Sequence, residues 1–170
     1  LSIRRQRQMC IRDSPFWLDH SQDHESGGYF SCLDREGKVF DTDKFIWLQG
    51  REVWMFSMLY NKVEKRQEWL DCAVQGGEFL KKYGHDGQFN WYFSLDRSGR
   101  PLVEPYNIFS YTFATMAFGQ LSLATGNQEY ADIAKKTFEI ILSKVDNPKG
   151  KWNKLCLLYT SPSPRDRTRS

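Results

Sequence analysis

An internal repeat constrains the fold of this chain more than any other feature. The segment Tyr29-Phe30-Ser31 and the later Gly37 recur as Tyr92-Phe93-Ser94 and Gly99, so the two glycines lie 62 residues apart (99 − 37). Self-similarity at a fixed period is typical of repeat architectures, in which each unit buries its apolar face against its neighbours. The chain is therefore predicted to contain about two copies of one structural unit.

Each copy is predicted to form a β-hairpin followed by two helices. The sequence Asp-Arg-x-Gly stands between two aromatic-containing runs, where glycine supplies the positive φ of a hairpin turn. Apolar residues then recur at helical spacing over about residues 46–60 and 109–124, nearly all round, which predicts inner helices. The next helices, about 66–83 and 128–145, carry one apolar stripe, which predicts outer helices. This alternation favours an all-α toroid whose short hairpins rim a central pocket.

Both ends of the chain depart from this pattern. Residues 1–14 hold four arginines and one aspartate without apolar periodicity, and residues 155–170 switch abruptly to serine, proline and arginine. We expect both ends to be non-native, adapter-like tails and residues 15–154 to form the one domain. Because the net charge of +3 comes from these tails, a nucleic-acid partner or a membrane surface is not indicated.

The remaining composition favours a cytoplasmic protein with reduced thiols. No stretch approaches 18 consecutive apolar residues, and residues 1–14 contain no apolar segment of a secretory signal. The four cysteines show neither a CxxC motif nor metal-like spacing. His20 and His24 lie four residues apart, but a glycine pair ends that helix and a third ligand is not evident, so no metal site is predicted.

Comparison of the two copies singles out one arginine. Ten residues after each glycine, Trp47 corresponds to Phe109, and fourteen residues after it, Arg51 corresponds to Phe113. An unpaired guanidinium is too costly in a core, so Arg51 must face a polar pocket or a carboxylate. The functional hypothesis is a clamp for an anion or for sugar hydroxyls, and the alternative is a structural ion pair with Glu52 or with a residue beyond this fragment.

Aromatic side chains accompany this arginine and could line a pocket. Sugars stack their C–H faces on aromatic rings, although aromatic residues at helical spacing are more often plain core. The candidates for such a lining are Trp47, Trp54, Trp91, Phe109 and Tyr111.

Three segments carry a resemblance to a known family: Gly27-Gly28-Tyr29-Phe30, residues 33–37 (LDREG) and especially residues 47–54 (WLQGREVW). They resemble the N-acylglucosamine 2-epimerase family, which includes cellobiose 2-epimerases and aldose–ketose isomerases of mannose-type sugars. The resemblance runs from about Pro15 to Lys154. It implies that the toroid is an (α/α)6 barrel, of which about two units are present here, with the active site at the hairpin end.

The resemblance also implies roles for individual residues. An arginine matching Arg51 binds the oxygens of the sugar in this family, and a lysine in the vicinity of Lys154 belongs to the pocket. Phe109 falls where some relatives have a tyrosine. With the aromatic lining, the candidate substrate-binding set is Trp47, Arg51, Phe109, Tyr111 and Lys154. The family's catalytic histidines come from later inner helices, so this fragment is expected to be inactive by itself.

The implied reaction assigns Arg51 a chemical role. Inversion at C2 requires ring opening, removal of the proton α to the C1 carbonyl and its return to the opposite face. Arg51 is always protonated, so it can stabilise the enediolate but cannot act as the base. No cofactor is required, while a nucleotide effector and a homodimer of the full-length protein stay open. The alternatives are an aldose–ketose isomerase, a glycoside hydrolase on a similar barrel, and a non-catalytic helical-repeat module that binds glycans or proteins.

Overall fold

Two helix pairs, each preceded by short strands, make up the protein. The computed structural model describes residues 13–105 and 108–144 of the 170-residue chain. A helix over residues 13–20 (α1) comes first. It is followed by β1 (Cys32–Leu33), β2 (Val39–Asp41), β3 (Lys44–Phe45), α2 (Ile46–Lys62), α3 (Gln67–Tyr83), β4 (Ser94–Leu95), β5 (Pro101–Val103), α4 (Phe109–Thr125) and α5 (Gln128–Lys144).

The two predicted tails lie almost wholly outside the part of the chain that the structure describes. Residues 1–12 and 155–170 belong to neither described range, whereas residues 13 and 14 form the beginning of α1. Of the helices that the structure describes, none is long and apolar enough to cross a membrane.

Both predicted hairpins are present and have the same turn. β1 pairs antiparallel with β2, and β4 pairs antiparallel with β5. In the turns, Gly37 and Gly99 have φ values of +85° and +92°, which favour glycine because a Cβ would clash there. The amide of Gly37 donates to the carbonyl of Asp34 at 3.2 Å, and that of Gly99 donates to the carbonyl of Asp96 at 3.1 Å. The hairpins of the predicted repeat are therefore confirmed.

The helices pack in the predicted order of inner and outer elements. Each of the four helices α2 to α5 has 17 residues. The longest helix contact joins α2 to α4, while α3 packs on α2 and α5 packs on α4. Asn61 near the end of α2 donates to the carbonyl of Gln120 at 3.0 Å, so α2 and α4 run side by side in the same direction. They are the two inner helices, and α3 and α5 are the outer ones.

A buried core fills the space between the helices. Its largest fully buried apolar side chains each contribute on the order of 1.5–3 kcal/mol to stability by leaving water. They are Trp69, Trp91, Tyr29, Tyr111, Phe56 and Phe118. Tyr29 also fixes the segment before the first hairpin, because its hydroxyl donates to the carbonyl of Cys72 on α3 at 2.7 Å.

A three-stranded sheet crosses from one repeat unit to the other. β3 pairs antiparallel with β4, so Lys44 lies opposite Leu95 and Phe45 lies opposite Ser94. The amide of Ile46, the first residue of α2, donates to the carbonyl of Phe93 at 3.0 Å. The first inner helix therefore begins beside the second unit's hairpin, to which β3 is paired. The repeat pattern alone predicts two hairpins and does not predict this strand between them.

A buried cluster of charged side chains joins the two repeat units at the same place. Lys44 and Asp23 are both fully buried and form an ion pair of 2.9 Å. The ammonium group of Lys44 also donates to the carbonyls of Gly27, at 2.5 Å, and Arg97, at 2.9 Å, so all three of its hydrogens have acceptors. The guanidinium of Arg97 in the second hairpin donates to both carboxylate oxygens of Asp23 at 3.0 Å. We call Asp23, Lys44 and Arg97 the junction cluster.

The junction cluster holds its carboxylate ionised. Burial opposes ionisation of Asp23, but hydrogen bonds from Arg97 and Lys44 outweigh it and keep the pKa of this carboxyl well below its usual range. Burial also lowers the pKa of Lys44, and the contact with Asp23 counteracts that shift. A buried ion pair is stabilising only when both partners are present, because either one alone is an uncompensated charge.

Replacing Asp23 by Ala should therefore destabilise the chain by about 3–5 kcal/mol, because Lys44 would stay buried without its counter-ion. Urea unfolding followed by circular dichroism measures the loss. Glu64→Ala is the matched control, because Glu64 forms an exposed pair with Arg66 at 2.7 Å that contributes about 0–1 kcal/mol. Equal and small losses in the two variants would contradict the role of the junction cluster.

Acid should weaken the same cluster. Because the folded-state pKa of Asp23 is depressed, its stabilisation is present above its ordinary pKa of 3.8 and is lost as the pH falls below that value. We expect the melting temperature of the wild-type chain to fall more steeply below pH 4 than that of Asp23→Asn. Parallel curves for the two proteins would show that Asp23 has an ordinary pKa in the folded state.

Candidate functional site

A cavity of about 330 Å³ lies beside the first turns of α2. Five α2 residues line it from one face of the helix, at the spacing that places side chains above one another. They are Trp47, Leu48, Arg51, Glu52 and Met55. Trp17 of α1 and Ser31, which precedes β1, complete its wall. The cavity thus combines a mostly apolar lining with a few polar groups, which is the usual composition of a small-molecule site.

A second cavity of about 270 Å³ lies on the other side of Trp47. Aromatic side chains line it throughout: Trp47, Phe93, Phe109 and Phe113. The rings of Trp47 and Phe113 lie 6.0 Å apart between centroids. Trp47 is thus shared by two cavities, one that contains Arg51 and one that contains Phe109.

Arg51 is exposed at this surface. Within residues 13–105 and 108–144, no carboxylate lies within salt-bridge distance of its guanidinium. The alternative of a structural ion pair with Glu52 is not realised, because the Glu52 carboxyl contacts the hydroxyl of Ser21 instead. The polar-pocket interpretation of Arg51 therefore agrees with where its side chain lies.

The environment of Glu52 is not predicted from the sequence. Its carboxyl packs against the end of α1, where desolvation raises its pKa to about 8, and the hydrogen bond with Ser21 offsets that rise only in part. In the sequence, Glu52 stands out only as a candidate partner of Arg51. The sequence carries no signal for its burial, because that depends on how α1 docks onto α2.

Gln49, in the same segment of α2, points away from the cavity and into the core. This side chain is fully buried and bonds to both backbone groups of one residue. Its amide oxygen accepts from the amide of Tyr29 at 2.8 Å, and its amide nitrogen donates to the carbonyl of Tyr29 at 2.7 Å. Gln49 thus fixes the chain just before Ser31, which lines the cavity.

Gly50 permits the close approach of the two inner helices. A Cβ at Gly50 would lie 3.0 Å from the backbone carbonyl carbon and oxygen of Phe113 on α4. Within the WLQGR segment, then, Gln49 and Gly50 hold the scaffold together, while Trp47, Leu48 and Arg51 face the cavity.

Two of the expected aromatic contacts lie elsewhere. Tyr111 has no exposed surface, and its hydroxyl points to Asn90 at 3.3 Å. Trp91 is equally buried, and its indole N–H donates to Thr137 on the outer helix α5 at 3.1 Å. Both belong to the core, so neither lines the cavity, in contrast to the prediction. Trp54 is half-buried and lines neither of the two cavities. Lys154 lies outside the described residues.

Among the described residues, the histidines gather no further metal-binding groups. His20 is exposed beside Phe16, and His85 is half-buried between Phe89 and Trp91. No group of three His, Cys, Asp or Glu side chains suited to a metal ion occurs within residues 13–105 and 108–144.

The known proteins that this chain resembles are longer than the chain itself. The family model described as N-acylglucosamine 2-epimerase matches residues 28–161. The N-acylglucosamine 2-epimerase of Bos taurus is 44% identical over 140 residues, which are 79% of this chain and 33% of that protein. The chain thus spans about a third of the length of the curated relatives that it matches.

Solved structures share the fold. The cellobiose 2-epimerase from Bacillus thermoamylovorans B4167 superposes with a TM-score of 0.70 at 27% identity, over 81% of this chain and 36% of that one. A D-mannose isomerase superposes with a TM-score of 0.73 at 20% identity, over 84% of this chain and 36% of that one. The prediction of an incomplete (α/α)6 barrel is confirmed.

Replacement of Gly50 by Ala tests the packing behind the site. The added Cβ would press on the backbone of Phe113, so we expect a loss of about 1–3 kcal/mol from overpacking. Gly119→Ala in α4 is the matched control, because a Cβ at Gly119 would meet nothing within 4 Å. That change should instead stabilise the helix by about 0.5–1 kcal/mol. Urea unfolding measures both, and a stabilising Gly50→Ala would contradict the close approach of the inner helices.

Proposed function

The chain belongs to the N-acylglucosamine 2-epimerase family, and from this premise we propose that it is part of an isomerase that interconverts C2 epimers of a sugar. The substrate is a small-molecule sugar bound at the hairpin end of the barrel. The observation that supports this proposal most directly is the exposed Arg51, which forms no ion pair with any described residue, in a cavity lined by Trp17 and Trp47. Such a cavity offers a ring for stacking and a planar set of donors for oxygens.

Arg51 would act on the oxygens at C1 and C2. Removal of the C2 proton from the open-chain sugar moves negative charge onto the C1 oxygen and creates an enediolate. Donors already aimed at that oxygen stabilise the charge without reorganising in the reaction. The guanidinium stays protonated throughout, so it cannot take the proton itself. The bases that move the proton are assigned to histidines on later inner helices of the full-length protein.

The aromatic residues would orient the sugar beside Arg51. Trp47 lies between the two cavities and presents its ring to both, so a sugar over Arg51 would contact it. Phe109 lines the aromatic cavity, where the ring offers a surface for stacking and no hydroxyl to bond. Lys154 completes the proposed binding set from the part of the chain that is not described.

An aldose–ketose isomerase is the second candidate function. The superposition with a D-mannose isomerase supports it at the level of the fold. Both reactions pass through the same enediolate and differ in the carbon that receives the proton, so Arg51 suits either. A non-catalytic binding module is the weaker alternative, because the family is one of enzymes.

We also propose a setting for the full-length enzyme. It acts in the cytoplasm on free sugar, with neither nucleic acid nor membrane as a partner, and assembles as a homodimer. Proton transfer and enediolate stabilisation need only side-chain acids, bases and donors, so no cofactor is required. A nucleotide would bind as an effector, if at all.

Arg51→Ala in a full-length protein that contains this chain should lower kcat/KM for epimerisation by about 10²–10³-fold, as does loss of an oxyanion donor in other enzymes. Exchange of the C2 hydrogen in heavy water measures the chemical step, and product analysis separates C2 epimers from ketoses. Arg66→Ala is the control, because Arg66 lies exposed before α3 and pairs with Glu64. Unchanged turnover and affinity in Arg51→Ala would exclude the proposed role.

A further inference from the structure

Glu52 stands where three parts of the structure meet, and the assigned roles do not use it. It lines the cavity with Arg51, contacts Ser21 at the end of α1, and lies close enough to Tyr29 and Cys72 to influence both electrostatically. We propose that Glu52 is a positioning residue of the sugar cavity: a neutral carboxylic acid that fastens α1 to α2 through Ser21 and leaves Arg51 without an ion pair among the described residues. The reference to a sugar rests on the proposed function.

The two hydrogen bonds of the Ser21 hydroxyl are both satisfied when the Glu52 carboxyl is protonated. Ser21 is fully buried, and its hydroxyl lies 2.6 Å from the carbonyl of Trp17 and also contacts the carboxyl of Glu52. A hydroxyl has one proton and can also accept. If the Ser21 hydroxyl donates its proton to the Trp17 carbonyl, the proton in the hydrogen bond between Ser21 and Glu52 must come from the Glu52 carboxyl. A protonated Glu52 therefore satisfies both contacts of Ser21 at once.

The surroundings of Glu52 do not support a negative charge. It contacts the hydroxyl of Ser21 at the end of α1 and lies within electrostatic reach of Cys72 on α3 and of Tyr29 before β1. Burial raises the pKa values of Cys72 and Tyr29 well above their ordinary values, so both groups are neutral. Arg51, the adjacent cation on α2, forms no salt bridge with Glu52 in the described part of the chain. A buried carboxyl without a cation neutralises by holding its proton.

The neutral state has two consequences for the cavity. It holds α1, and with it Trp17, against the face of α2 that carries Arg51. It also keeps a negative charge away from Arg51, whose attraction for the electron-rich oxygens of a ligand would otherwise be weakened. Loss of the proton on the alkaline side removes the donor and adds the charge, so the cavity should bind ligand less well there.

The sign of the effect on stability follows from the raised pKa of Glu52. The unfolded chain releases this proton near its ordinary pKa of 4.5, whereas the folded chain retains it up to about 8. The contribution of Glu52 to stability is therefore full below pH 4.5, declines as the pH rises, and is lost by the time the pH has passed about 8.

A titration of the 170-residue chain tests the protonation state directly. In protein labelled with ¹³C at the glutamate carboxyl carbons, one NMR resonance should titrate near pH 8, be absent in Glu52→Gln and persist in Glu36→Gln. Glu36 is a suitable control because it is exposed in the first hairpin turn. A resonance lost in Glu52→Gln that titrates near 4.5 would overturn the proposal.

Two further variants separate positioning from charge. Glu52→Gln keeps a neutral donor for Ser21, whereas Glu52→Ala removes it. Amide hydrogen exchange in residues 14–21 should therefore speed up in Glu52→Ala and stay near wild type in Glu52→Gln. Equal protection of α1 in all three proteins would show that Glu52 does not fasten it.

The ligand arm uses the full-length protein and a sugar that it turns over. KM should rise severalfold as the pH passes about 8 and then level off, because ionised Glu52 only weakens the attraction of Arg51 for the sugar; this rise should be absent in Glu52→Gln and retained in Glu36→Gln. If no sugar is turned over while one carboxyl still titrates near pH 8, the proposed function fails and the assignment to Glu52 stands. If turnover is observed and the rise in KM is equal in wild type and Glu52→Gln, the proposal for Glu52 fails alone.

Discussion

The carboxylate of Asp23 is the point on which the two repeat units depend. It lies in the loop after α1, yet it accepts from Lys44 in β3, just before the first inner helix, and from Arg97 in the second hairpin. Its side chain also accepts from the amides of Glu25 and Ser26, which shapes the loop that enters the Gly27-Gly28 turn. One buried anion thereby places α1, the first unit and the second hairpin relative to one another.

The cavity depends on that placement through a single stretch of α2. Gln49 and Gly50 face the scaffold, where one clamps the backbone of Tyr29 and the other lets α4 approach. Trp47 and Arg51 face outward into the cavities. Because an α-helix has 3.6 residues per turn, adjacent residues point in different directions, so one can contact the scaffold while the next lines the cavity. The polar surface of the site can therefore be rigid although Arg51 itself is exposed.

The electrostatic character of the site comes from a contrast between two adjacent residues. Arg51 stays charged because its guanidinium is exposed and strongly basic, while the half-buried Glu52 is largely shielded from water, which disfavours the ionised form of its carboxyl. In the junction cluster the same chemical group behaves in the opposite way, since two cations keep Asp23 ionised in a buried place. The charge of a shielded carboxyl therefore depends on whether cationic hydrogen-bond donors contact it, and not on burial alone.

The sequence by itself determined the period, the two hairpins, the alternation of inner and outer helices and the selection of Arg51. All of these follow from local spacing, because the turn glycines and the apolar faces lie within a few residues of one another. Tertiary structure alone decided that Tyr111 and Trp91 are core, that β3 pairs with the second hairpin, and that the half-buried Glu52 docks on Ser21. Helical spacing shows that a side chain is covered, but not whether a neighbouring helix or a ligand covers it. Contacts such as Arg97 to Asp23, between residues 74 positions apart, depend on how whole elements dock.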